Sequence, residues 1–285
     1  GYSATGQADN SVVLGNADVT AVYASQDAGA TLHAGALNLG GTAVSATAAE
    51  LNLLDGVTGL ASSVNGLSDG LVENSSIYIG NDPSSTTNTA EYNVAVGTTA
   101  LDAVTTGDEN VAVGYGSLGA NTEGTSNTAV GKNALLINTD GNYNVAIGSG
   151  ALDSNTGGDQ NTAVGHGSLQ ANSTGGQNTA VGVAALYVNT TGAYNSAFGV
   201  NALYKNTTGN NNTSVGYESM LTNTTGGSNT AIGDDAMYSN STGNNNTALG
   251  RGALYSNTTA SNNIAVGYQS LKGNTTGTEN IAVGV

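Results

Sequence analysis

The sequence predicts an all-β repeat protein, a parallel β-roll solenoid wound in 17-residue coils, and three observations predict it. A-V-G-like triplets place Gly97, Gly114, Gly131, Gly148, Gly165, Gly182, Gly199, Gly216, Gly233, Gly250, Gly267 and Gly284 at an unbroken spacing of 17. The composition, with 43 Gly, one Phe, no Trp and no Cys in 285 residues, rules out a conventional core of large side chains and makes repetition the first alternative. Apolar runs are short and bounded by Gly, Asn and Thr, which suits brief strands between turns rather than helices.

The consensus N-x-A-V-G-x-x-A-L-x-x-N-T-T-G-x-x gives each position a role. Its first Asn is filled in all twelve repeats, at Asn93, Asn110, Asn127, Asn144, Asn161, Asn178, Asn195, Asn212, Asn229, Asn246, Asn263 and Asn280. Stacked at a strand spacing of about 4.8 Å, buried Asn amides can hydrogen-bond to their own copies above and below, so this column predicts a structural ladder. A second column, Asn121 to Asn274, is followed by Thr or Ser and usually closed by Gly. It reads as turn chemistry, the Asn bonding nearby backbone and the Gly adopting positive φ. N-x-A-V-G and A-L then form two short strands and two turns per coil. Gly80, in S-I-Y-I-G, sits 17 before Gly97 and marks a degenerate first coil, so the array covers residues 76–285 in about thirteen coils.

Side-chain alternation divides the N-x-A-V-G strand into two faces. Ala95, Ala112 and Ala129, with Ser214 as an exception, point one way, into a narrow interior shared with the column Leu101, Leu118 and Leu135 that continues to Leu271. Val96, Val113, Phe198 and Ile232 point the other way, with Val94, Thr128 and Ile264. Neither face carries charge, so the outer face needs a cover as well. A parallel homotrimer is the simplest symmetric arrangement that buries a stripe along a rod.

Ahead of the array, residues 1–46 read as a small β region, from N-S-V-V-L-G-N-A-D-V-T-A-V-Y and A-T-L-H-A-G-A-L-N-L-G. Residues 47–75 carry Leu53, Val57, Leu60, Val64, Leu67 and Leu71 at alternating spacings of four and three. That is a heptad seam and predicts a short trimeric coiled-coil neck, although Gly56, Gly59, Gly66 and Gly70 weaken any isolated helix.

Twenty acidic residues against four basic ones give a net charge of −16, which disfavours nucleic acid and anionic membrane surfaces as partners. No apolar run is long enough to span a bilayer as a helix, so no membrane insertion is predicted. No cofactor or metal is predicted either. His33 and His166 are isolated, Cys is absent, and the acidic turns follow no calcium-loop pattern. Asp102 and Asp153 share one repeat position, Glu123 and Asp140 another, and Asp234 and Asp235 are adjacent. They read as solvated turn charges, so no catalytic residue and no enzyme activity is predicted. Tyr187, Tyr204, Tyr238 and Tyr255 share a column, as do Tyr115, Tyr217 and Tyr268. Such stripes could contact glycan rings or serve only as cross-strand partners.

The N-T-A-V-G-x-x-A-L-x-x-N-T-T-G repeats resemble those of phage and prophage tail-fibre proteins. More distantly they resemble the N-S-x-A-x-G coils of trimeric autotransporter adhesin heads, which are left-handed parallel β-rolls. The segment T-A-A-E-L-N-L-L-D-G-V-T at 47–58 and the block N-S-V-V-L-G-N-A-D-V-T-A-V-Y look like tail-fibre phrases, so the likeness spans nearly the whole chain. This resemblance implies an extracellular, homotrimeric fibre shaft or adhesin, on a virion tail or cell-surface appendage, acting as a rigid spacer and contacting host-surface polysaccharide. The chain departs from those families in its longer period and in having no chaperone-like or anchor segment after Val285. Two alternatives stay open: a self-assembling extracellular filament, and an ice-binding solenoid with regular Thr columns. Against the latter, Thr reads here as part of the N-T-T-G turn.

Overall fold

A strand of three residues presents one side chain to one face and two to the other, and this fixes the plan of the coil. The computed structural model describes residues 37–39, 42–44, 70–80, 83 and 86–285. The chain divides into two units, Gly1–Leu60 and Ala61–Val285. In the first, β1 (Leu37–Leu39) pairs antiparallel with β2 (Thr42–Val44), Leu37 standing opposite Val44.

The second unit opens with β3 (Gly70–Glu73), antiparallel to β4 (Ser76–Ile79). Asn74 and Ser75 join them with φ of 46° and 61°, the pair of positive φ values that a two-residue hairpin turn demands. The expected coiled-coil neck over 47–75 therefore ends differently: Leu71, its last seam residue, is a strand residue opposite Tyr78 and packs against the core. Period-2 alternation, with Leu71 inward and Val72 exposed, overrides the heptad spacing there. Residues 47–69 of that expected neck lie outside the described residues.

Beyond β4, twelve three-residue strands run from β5 (Val94–Val96) to β16 (Ile281–Val283) in one sheet, in chain order. All are parallel, and each residue pairs with its copy 17 positions on, Val94 with Val111 and so to Ile264 with Ile281. β4 joins in the same register, Ile77 opposite Val94, so the degenerate first coil belongs to the stack. Among the described residues the fold is an all-β parallel solenoid of 17-residue coils without a helix.

The expected second strand is absent. The A-L stretch is a chain of turns in which the column from Leu101 to Leu271 holds left-handed φ values of 49–56°. Two further positions per coil are left-handed, one occupied by Thr99, Asn133 and Asn201, the other just before the ladder Asn. A coil of 17 residues must reverse direction within a few residues, and positive φ does so while keeping Leu inside. Each such residue costs roughly 1–2 kcal/mol. Burying its Leu, worth ~1.5–3 kcal/mol, offsets this, as do rung-to-rung bonds such as Leu135 N–H to Ala151 O at 3.0 Å.

The interior of each full coil holds two small side chains, Ala or Ser, and one Leu or Met, as in Ala129, Ala134 and Leu135, with Ser standing for Ala at Ser117, Ser168, Ser214, Ser219 and Ser270. Tyr78 takes the Ala position of the first coil, is fully buried, and plugs the end of the core with a much larger side chain. The Gly that sets the 17-residue spacing is required twice over. Gly165 has φ +134°, and a Cβ there would lie 2.5 Å from Gly182 O on the next coil.

Candidate functional site

Each ladder Asn is built into the coil corner just before its strand, where the left-handed residue ahead of it turns the side chain inward. Asn161 Oδ1 accepts the backbone N–H of Asn178 at 3.0 Å and one Nδ2 hydrogen of Asn178 at 3.1 Å. The other Nδ2 hydrogen of Asn178 goes to Gly192 O at 2.9 Å. The amide thus uses its full capacity with no water required. The column is fully or almost fully buried from Asn93 to Asn263, and Asn280 is half-buried. Ser76 starts the file, its Oγ accepting Asn93 N–H at 2.9 Å.

The second Asn column does more than bond its own turn. Asn189 Nδ2 donates to Asn172 Oδ1 at 2.8 Å and to Gly192 O at 2.9 Å, in the buried interior. Gly192 O therefore receives an amide from each file, and one such carbonyl per coil ties the two ladders together. The Gly of N-T-T-G is not at positive φ, contrary to expectation. It is there for space: a Cβ on Gly158 would lie 2.5 Å from Asn155 Oδ1 and 2.5 Å from Gly175 O. Ala260 shows that one coil can accommodate a methyl, with Asn257 Nδ2 still 3.0 Å from its carbonyl.

Thr occupies two settings. The first hydroxyl residue of the N-T-T-G turn bonds between coils, as Thr190 Oγ1 donates to Thr207 O at 3.0 Å. Strand Thr, including Thr162, Thr179, Thr213 and Thr230, faces outward beside an unbroken apolar column that runs Val96, Val113, Val130, Ile147, Val164, Val181 and Phe198 through Val283. Val113 and Val130 are 36% exposed and Phe198 41%.

Among the Tyr residues expected to contact glycan, Tyr187 and Tyr204 stack with centroids 5.1 Å apart and planes at 5°, and Tyr238 and Tyr255 do the same at 5.1 Å and 9°. Leu221 occupies the column between the pairs, and Lys272 Nζ lies 5.9 Å from the Tyr255 centroid. Comparison with protein-family models, with curated proteins and with solved structures found no match. Function must therefore be argued from the chemistry of the coil.

That chemistry is sparse. Asp234 pairs with Arg251 at 3.1 Å. Burial, followed by the carboxylates of Asp234 and Glu218, raises the Asp235 pKa, partly offset by Arg251. Burial raises Asp153, and a hydrogen bond with Gln170 opposes it. His166 is exposed, and His33 lies outside the described residues. Among the described residues no three His, Cys, Asp or Glu side chains gather as a metal site. One set of residues escaped the sequence reading. Tyr92, Tyr143 and Tyr194 fall just before the ladder Asn at intervals of three coils, a longer period that a search for residues repeating every coil passes over.

Proposed function

We propose that the chain is a structural fibre shaft or adhesin of an extracellular appendage, on a virion tail or cell surface, in which three parallel chains associate and no catalysis occurs. One observation carries the reading: the unbroken outward column from Val96 to Val283 is apolar in all twelve coils, while the Asn amides of the coil interior are satisfied within the chain. A single chain leaves that stripe of Val, Ile, Leu and Phe partly open to water, whereas a threefold rod would bury it. Fourteen strands at about 4.8 Å give a stack on the order of 60 Å long, suited to spacing. Native mass spectrometry tests the trimer. Three copies of the 27.9 kDa chain are expected, with Phe198→Asp and Ile232→Asp together shifting the mass to one copy; a single copy of the unaltered chain would end the proposal.

The strand Thr residues favour a second reading, ice binding, because their hydroxyls make no hydrogen bond among the described residues and stand in register on a parallel sheet. Thermal hysteresis that disappears in Thr179→Tyr would support that reading, and its absence at micromolar protein would remove it.

A further inference from the structure

The strongest unassigned feature is a groove of about 390 Å³ on the turn side of the coil, lined by Tyr143, Tyr194, Gln160, Gln177, Asp159 and Asn142 among others. Tyr143 and Tyr194 bound it at opposite ends, three coils apart, which is about 14 Å at the strand spacing. They are 61% and 58% exposed and both sit at left-handed φ, 58° and 60°. A bulky ring is out of place at such a φ, and the same column uses Asn at Asn211, Asn245 and Asn262. Neither ring stacks on a neighbour, so neither gives the coil the cross-strand support seen at Tyr187 and Tyr204.

Between the two rings lies an amide pair, Gln177 Nε2 donating to Gln160 Oε1 at 2.9 Å. This leaves donors on Gln160 and acceptors on Gln177 without intramolecular partners, and Asp159 Oδ2 likewise, since Asn142 engages only Asp159 Oδ1. The preceding interval, Tyr92 to Tyr143, has the same length but holds Glu109 and Ser126 bonded to each other at 2.9 Å. Two aromatic platforms with unsatisfied donors and acceptors between them match the alternating C–H faces and hydroxyls of a sugar chain. No cation lines the groove, Asp159 does, and the chain carries −16, so an anionic polymer would be repelled.

We propose that the Tyr143–Tyr194 groove binds an extended neutral polysaccharide lying along the solenoid axis. This rests on the adhesin side of the fibre reading, to which it gives a defined site, and is independent of trimerisation.

Affinity electrophoresis in native gels containing galactomannan, xyloglucan or dextran, with alginate as the polyanion, tests it. At least one neutral polymer should retard the protein and alginate should not. Tyr143→Asn and Tyr194→Asn, which install the residue native to this column, should each weaken the association about tenfold, with Tyr92→Asn within roughly twofold of the unaltered protein. Circular dichroism establishes that each variant folds. Retardation by no neutral polymer overturns the proposal, as does equal retardation by alginate or binding that survives the double variant. Binding lost instead in Tyr187→Ser with Tyr204→Ser would place the glycan on the stacked column, so the groove would fail while glycan contact stood.

Discussion

Replacing Asn178 by Asp keeps the size of the side chain and inverts half of its chemistry. One oxygen can still accept Asn195 N–H at 3.0 Å and Asn195 Nδ2 at 3.2 Å. The other takes the place of Nδ2 and faces two acceptors, Asn161 Oδ1 and Gly192 O, which the amide had met at 3.1 and 2.9 Å. Two hydrogen bonds become two repulsions at a fully buried position. Unsatisfied buried groups cost ~1–3 kcal/mol each and a buried charge several more, so a loss of about 4–6 kcal/mol at neutral pH is expected. In a stack whose coils touch only their neighbours, that loss should be local. Hydrogen exchange should rise in peptides covering 161–195 and stay low around Asn110 and Asn127. Burial raises the pKa of the introduced carboxyl above its unfolded value, so the neutral form is favoured in the coil. The deficit should therefore shrink as pH falls, because a protonated carboxyl also restores one donor. Unchanged protection, a stability change under ~0.5 kcal/mol, or a deficit that grows on acidification would refute the ladder as the source of order.

Three further outcomes are expected. Gly165→Ala, at φ +134° and against Gly182 O, should cost ~3 kcal/mol or more in chemical denaturation, whereas Gly273→Ala, with no neighbour within 4 Å, should stay within ~0.5 kcal/mol. Tyr78→Ala should cost about 3–5 kcal/mol and open the first coil to exchange, while Tyr78→Phe should cost no more than ~1 kcal/mol, because that hydroxyl makes no well-formed hydrogen bond and Ser76 and Asn93 only moderate the rise of its pKa. Burial raises the Tyr78 pKa, so its contribution is present below the unfolded value near 10 and lost as pH climbs through the folded one; the Phe variant should keep its first coil protected in alkali. Asp235→Asn removes a carboxylate whose pKa is raised, so it should add up to about 1 kcal/mol at pH 7 and flatten the gain in stability that the unaltered protein shows on acidification.

The parts of the fold readable in the residues were those where one position repeats one task. The 17-residue stride, the Asn93-to-Asn280 column, the inward Ala and Leu, and the degenerate coil at Gly80 all follow from the alignment of like with like. What stayed hidden depends on backbone angles that side-chain type does not report. Leu101 and its copies look like strand residues because they are apolar, yet their left-handed φ makes them corners. The Gly of N-T-T-G looks like a residue chosen for φ and is chosen for the room its missing Cβ leaves to Asn side chains. Leu71 looked helical because heptad and strand spacings coincide over so short a segment. Of the candidate site, the stacked Tyr187 column was plain, but Tyr143 and Tyr194 recur too rarely for a per-coil pattern.

The bonding pattern has a consequence for how such a chain can change length. The inter-coil bonds of the ladders join residues 17 or 14 apart, and each coil offers the same set upward that it receives from below. A whole coil can therefore be duplicated or excised with no partner lost, whereas a gain or loss of one residue would break the register at the coil that carries it. Recombination between neighbouring copies would deliver only the tolerated increments, so the reach of the rod is adjustable in steps of about 4.8 Å without redesign of any contact.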